Sequence, residues 1–218
     1  MNYKNSFKKF GGELIPDITE YLKGVIEKEP LSTISVGCDS IQARRRTIYA
    51  VTIMVYNTDI KRGAHVVFFR ESCPKIRETQ ERLYREAQYL HDVGEYINAE
   101  LESIGYKRGD LNDLERKKYK YHLQKSAGEY ANIALHNEEA VVRNIVLTNE
   151  DNHSTQKLID LHADFNPFES TKYEKGHRNK SYVAYKSYTP WLRGLGYRVW
   201  CKPLAHAATT GADLLLKG

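Results

Sequence analysis

Residues 32–57, STISVGCDSIQARRRTIYAVTIMVYN, and the run GAHVVFFRESC at 63–73 decide how this chain is read. Three β-rich runs, STISVGCDS, RTIYAVTIMVYN and GAHVVFFRESC, are separated only by IQARR and by TDIKR. Connections that short join antiparallel neighbours, because a parallel pair needs a crossover of about a dozen residues or more. An antiparallel meander is therefore expected. Its first run ends on a carboxylate, Asp39, directly after Gly37 and Cys38. Asp before Ser often opens a turn. Equally, an acid at the carboxyl end of a strand stands where open α/β sheets gather their ligands.

Working outward, residues 15–29 (IPDITEYLKGVIEKE) set Ile18, Tyr21, Leu22, Val25 and Ile26 at helical spacing after a Pro-Asp start. A second, longer helix is predicted from Pro74 to Ile104, with Leu83, Ala87, Leu90, Gly94, Ile97, Leu101 and Ile104 on one stripe that can cover a sheet face. Residues 105–157 turn polar and read as an inserted helical subdomain within a single domain spanning 1–218. Beyond them LIDLHADFNP reads as a strand ending at Asn-Pro and SYVAYKSYTPWLRGLG as a helix interrupted near Pro190. YRVWCKP then reads as a strand and AHAATTGADLLLK as a closing helix. A meander followed by alternating helices and strands predicts an α/β fold with a mixed five-stranded sheet, its later strands joining parallel to the first.

The chain has 218 residues, 41% of them hydrophobic, enough for one well-packed core. No apolar run approaches the roughly 18 to 20 residues that cross a bilayer, and MNYKNSFKKFGG lacks the apolar stretch of a signal peptide, so a cytoplasmic location without membrane partners is expected. Three distant cysteines, Cys38, Cys73 and Cys201, form no CxxC pair and are expected to be reduced and buried rather than a disulfide framework or zinc ribbon. The net charge of +5 is modest, but its distribution is uneven. From Lys175 onward eight Lys or Arg face a single acid, and RKKYKYHLQK at 116–125 alternates cations with tyrosine. Lys117, Lys118, Lys120, Lys175, Arg178 and Lys180 are candidate contacts to a nucleic-acid backbone, with solvated surface lysines as the alternative.

Four acids stand out by position. Asp39 closes the first run. Glu86 lies about 60° from Leu83 at 100° per residue, while Glu78, Glu81, Asp92, Glu95 and Glu102 lie further round the helix. A boundary glutamate with a packed stem and solvated head would sit there too. Asp164 closes the later strand, with His162 on the same face by alternation; it could instead cap the turn before Asn-Pro. Asp213 is the only acid among residues 175–218, in a helix otherwise of small and apolar residues, where a charge is costly to bury unless paired or metal-bound. Four carboxylates converging on the sheet's centre repel one another unless divalent cations hold them, and hard oxygen donors select Mg²⁺ or Mn²⁺.

In their order, VGCDS, RLYRE, HADFN and KPLAHAATTGAD resemble the ribonuclease H-like superfamily, and more narrowly its YkuK-type bacterial and phage family, over roughly residues 31–100 and 157–217. That family repeats a GxDS strand, an RLxxE helix, an HxDxN strand and a KP…AA…AD ending. The resemblance implies a ribonuclease H-like sheet and Asp39, Glu86, Asp164 and Asp213 as catalytic and metal-binding residues. It implies a hydrolase, a Mg²⁺- or Mn²⁺-dependent nuclease using two ions with Asp39 between them. His162, Lys202 and His206 are candidate auxiliary groups. Segment 105–157 departs from the family pattern. The competing reading is a catalytically weak nucleic-acid-binding or interaction module on the same fold, since fold alone does not give function. A sugar-kinase or actin-like half is disfavoured because Asp39-Ser40-Ile41-Gln42 offers no glycine for a phosphate turn.

Overall fold

A computed structural model describes residues 3–30, 32–56, 64–108, 158–167, 180–202, 205 and 207–217. All of them belong to one compact unit, Met1–Gly109 with Lys157–Gly218, and nearly all of the insertion expected at 105–157 lies outside the described residues. The elements run β1 (Lys8–Lys9), α1 (Ile18–Lys28), β2 (Thr33–Ala43), β3 (Arg46–Tyr56), β4 (His65–Pro74), α2 (Thr79–Leu101), β5 (Lys107–Arg108), β6 (Leu158–Ala163), α3 (Lys180–Gly194) and β7 (Arg198–Cys201). A π-helical turn, Ala207–Ala212, and α4 (Asp213–Lys217) follow.

The strands form one seven-stranded sheet in the order β1, β4, β3, β2, β6, with β5 and β7 both pairing the outer edge of β6. β2, β3 and β4 are an antiparallel meander, while β6 joins β2, and β7 joins β6, in parallel. The five expected strands are therefore present in the expected directions. β1 and β5 are additions of two residues each, too short to show an alternating pattern.

One sheet face carries Ile34, Val36 and Cys38 of β2 in register with Val55, Ile53 and Val51 of β3 and with Ile159, Leu161 and Ala163 of β6. All are buried, and the stripe Leu83, Ala87, Leu90, Gly94, Ile97 and Leu101 of α2 is buried with them. Each fully buried aliphatic side chain contributes ~1.5–3 kcal/mol, so this face anchors the fold. α1 joins the same core through Ile18, Leu22, Val25 and Ile26, and starts where Asp17 accepts from the amides of Thr19 (3.0 Å) and Glu20 (3.2 Å).

The opposite face is covered by residues 207–217, which Gly37 admits. A Cβ there would fall 2.5 Å from Ala207 O and Ala208 N. Thr52, paired with Gly37, donates its hydroxyl to Ala207 O at 2.7 Å, and Ala207 N donates to His162 Nδ1 at 3.1 Å. β2, β3 and β6 thus clasp one backbone position. Ala50, Ala212 and Leu215 form a small second core beneath it.

Four expectations need correction. α2 starts at Thr79 rather than Pro74, and ends at Leu101. Pro190 lies inside a continuous α3. The bond it cannot make belongs to the carbonyl of Lys186, and Lys186 and Pro190 are both on the exposed side, where water can serve that carbonyl. The closing helix is a π turn followed by a short α-helix, and the π turn coincides with the carbonyl of Ala207 that Thr52 draws to the sheet. All three cysteines are free, but Cys73 is only half-buried.

Candidate active site

β2 and β6 pair in parallel from Ile34–Ile159 to Cys38–Ala163. One residue further on each lies an acid, Asp39 and Asp164, in adjacent positions on neighbouring strands. Asp164 follows the last residue of β6, but Asp39 does not end its strand: β2 runs on to Ala43, paired with β3 throughout. Asp39 therefore marks the point where β2 loses its parallel neighbour and continues as half of a hairpin. Glu86 comes from α2 and is buried at 1% exposure; Asp213 opens α4 and is half-buried.

Each of three carboxylates has one oxygen tethered. Asp39 Oδ1 accepts from Ser40 N at 2.7 Å. Glu86 Oε1 accepts from Ser40 Oγ at 2.5 Å and from Arg82 Nη1 at 3.3 Å. Arg82 also donates to Ser40 O (2.9 Å) and Oγ (2.6 Å), so Ser40 and Arg82 together brace Asp39 and Glu86. Asp164 Oδ2 lies 2.7 Å from Lys202 Nζ, and the Lys202 backbone amide donates to Phe165 O at 3.1 Å. The second oxygens of two of these groups, Glu86 Oε2 and Asp164 Oδ1, are buried without a hydrogen-bond partner.

Such orphaned oxygens are expensive, and the ionisation behaviour reflects it. Burial, then the charge of Asp39, pushes Glu86 up to about 8. Burial, then Asp164, pushes Asp39 up to about 6, with Asp213 adding to the shift. Burial raises Asp164 as well, against the opposing charge of Lys202. Cys38, buried behind the site, is pushed well up by burial and then by Glu86, which makes it an inert thiol.

The four acids thus form one electrostatic cluster. The pressure for charge compensation and the all-oxygen donor set have the chemistry a hard divalent cation would answer, and Asp39, Glu86, Asp164 and Asp213 are the residues that would have to hold one. As they stand, no three His, Cys, Asp or Glu among the described residues are gathered closely enough to hold a metal ion. Lys202 and Arg82 supply the compensating charge instead.

The other sequence candidates divide. His162 is buried and shares the face of Asp164, but its Nδ1 is occupied by the Ala207 amide, which makes it a fastener of the C-terminal segment. Lys180, at the start of α3, lies 3.8 Å from Glu78. His206, Lys117, Lys118, Lys120, Lys175 and Arg178 lie outside the described residues. Sequence reading passed over Ser40 and Arg82, although both stand in the quoted GCDS and RLYRE runs and Arg82 is one helical turn before Glu86. It also passed over Asp160, buried and bound by Arg198 at 2.7 and 2.6 Å and by Trp200 Nε1 at 3.0 Å. With its oxygens so engaged, Asp160 ties β6 to β7.

A meander continued by parallel strands, with an acidic cluster where the two halves meet, defines a class of sheet-borne acidic centres. The family model described as Ribonuclease H-like matches residues 13–123, just over half of the chain, and the chain belongs to that family. The matched stretch contains Asp39, Glu86, Ser40 and Arg82, whereas Asp164 and Asp213 enter the cluster through the fold. Comparison with curated proteins and with solved structures found no match. No helix among the described residues is long and apolar enough to cross a membrane.

Proposed function

We propose that this chain is a metal-dependent nuclease that cleaves phosphodiester bonds in RNA, an RNA/DNA hybrid or DNA, and that within its family it groups with the YkuK-type proteins and acts in the cytoplasm. The observation that carries the reading is the pair of buried, unpartnered oxygens, Glu86 Oε2 and Asp164 Oδ1, within a cluster completed by Asp39 and Asp213. Those four residues would hold Mg²⁺ or Mn²⁺, which when bound activates water and neutralises charge on the departing oxygen. Ser40 and Arg82 fix one oxygen of Asp39 and one of Glu86, so the remaining oxygens need little reorganisation to receive a cation. Lys202 balances Asp164 until a cation does so. Its side chain, 44% exposed, is then available to a backbone phosphate.

The test is a panel of labelled single strands, duplexes and hybrids incubated with Mg²⁺ or Mn²⁺, comparing wild type with Asp39→Asn. Metal-dependent cutting lost in the variant supports the reading, and cutting that survives the substitution refutes it. A second reading is favoured by the Lys202–Asp164 pair and the absence of a gathered ligand set among the described residues: a nucleic-acid-binding module whose acids are neutralised by its own cations. Calorimetric titration with Mn²⁺ separates the two. Binding removed by Asp39→Asn or Asp164→Asn supports the nuclease; no binding leaves the module.

A further inference from the structure

Past Asp39, β2 continues through Ser40, Ile41, Gln42 and Ala43, turns at Arg44 and Arg45, and returns as β3 from Arg46. Residues 41–46 are all exposed. β4 reaches the same end of the sheet, its last residue Pro74 pairing with Arg46, and Lys75 and Arg77 follow, both exposed. Arg70, also exposed, shares a cross-strand row with Asp39: Asp39 pairs with Ala50 and Ala50 with Arg70.

Five cations therefore gather around the hairpin end, with Arg70 further back on the row of Asp39, and among the described residues none of the six is in an ion pair. Arg46 touches Ser72 Oγ at 3.3 Å, and Arg70 lies over the Phe68 ring at 5.9 Å. Acids close in sequence are engaged elsewhere: Glu78 with Lys180 (3.8 Å), Glu81 with Arg85 (3.2 Å) and Glu71 with Tyr89.

Two further observations set this patch apart from ordinary surface charge. Its frame is laced together: Gln42 Nε2 donates to Ile76 O at 2.6 Å, Lys75 N to Arg45 O at 3.0 Å, and Ile76 N to Thr47 Oγ1 at 3.0 Å. And Arg44 takes a left-handed backbone, φ 42°, which glycine or asparagine occupies at lower cost. The turn thus carries a cation where conformation alone would choose a smaller residue.

We propose that this hairpin end is an exosite for the phosphate backbone of a nucleic-acid duplex. At the turn, 41–46, charge without rings suits a duplex, whose bases are stacked and unavailable. A single strand calls for aromatic platforms, and Ile41 is the only large apolar side chain exposed between residues 41 and 46. Five residue steps lead from Asp39 to Arg44, about 17 Å at ~3.4 Å per residue. At ~3.4 Å per nucleotide along a duplex, the grip falls about five nucleotides from the strand held at Asp39. That spacing rests on the nuclease reading; the grip itself does not.

The test uses the wild-type chain in EDTA, so that neither metal nor cleavage enters. Anisotropy titrations of a fluorescein-labelled 24-base-pair DNA duplex and its single strand are run from about 50 to 200 mM KCl. The triple variant Arg44→Gln, Arg45→Gln, Arg77→Gln should bind the duplex about tenfold or more weakly at low salt, and should lower the slope of log affinity against log salt by about 2 to 3. The corresponding triple lysine variant, which keeps the charges, should retain both. Unchanged affinity and slope in the glutamine variant overturn the proposal, as does equal loss in the lysine variant. An effect of the same size on the single strand overturns the duplex assignment. Should no metal-dependent cleavage be found, the nuclease reading fails while this result stands.

Discussion

The acidic site has two halves built by different means. Asp39 and Glu86 belong to β2 and α2 and are braced from within by Ser40 and Arg82, through contacts of 2.5 to 3.3 Å. Asp164 and Asp213 follow more than seventy residues later, one balanced by the long, half-exposed Lys202 and the other carried by a segment clasped against Gly37. The first half is set by short-range donors on rigid elements. The second depends on a mobile type of side chain and on docking of a C-terminal segment. Under a metal-dependent mechanism the first half would fix where a cation sits, and the second would adjust to it.

The largest expected effect tests that division directly. Asp39→Asn should lower kcat/KM with Mn²⁺ a hundredfold or more, since each lost charge contact to the reacting centre is worth several kcal/mol. Asp213→Asn, from the adjustable half, should cost only about tenfold. Equal losses in steady-state assays would erase the distinction.

Next in size is Gly37→Ala. The added methyl must displace the backbone of Ala207 and Ala208, at about 1–3 kcal/mol, or a melting temperature roughly 3–10 °C lower. Hydrogen exchange should show residues 207–217 losing protection while α2 keeps it. Equal loss in both would mean that the halves are not separable.

A smaller effect concerns pH. The carboxyl of Glu86 is raised from 4.5 to about 8 in the folded chain, so the folded state holds a proton that the unfolded state has released. Stability of the metal-free protein should therefore fall as pH rises from about 4.5 to 8. Glu86→Gln should flatten that decline and melt a few degrees higher than wild type at pH 8 in EDTA. A steeper decline in the variant would reverse the sign.

Smallest of all, Arg44→Gly should raise stability by up to ~1 kcal/mol by relieving the left-handed arginine, visible as a melting temperature about 2–4 °C higher. Duplex affinity should drop in the same variant. A gain in both would place the arginine's purpose elsewhere.

Much of this fold is written in local pattern. The meander follows from short connections between β-rich runs, and the wheel position of Glu86 follows from the rotation of one helix. What escaped depends on partners distant in sequence. Ser40 reads as a turn residue until its hydroxyl is seen to meet Glu86, 46 positions away. Pro190 reads as a break until its side of the helix is known to face water. Periodicity gives no sign of the π turn, which lies where Thr52 reaches across 155 positions to Ala207. Asp160 resembles any strand acid until Arg198 and Trp200 close on it. Arg44 and Arg45 passed as a connector, and Arg46 as the start of a strand, because a hairpin's length beyond its last parallel neighbour cannot be read from one strand.

The clasp on Ala207 has a temporal meaning as well. Asp39 leaves the ribosome long before Asp213, and at about 5–20 residues per second the interval is roughly ten to thirty seconds. Within that time the meander β2–β4 and α2 are made first, while β6, β7 and residues 207–217 are still to come, so the face over Gly37 stays uncovered and the carboxylate set is incomplete. A growing chain of this design makes its meander and covering helix while its acidic centre is incomplete, and residues 207–217, made later, complete it.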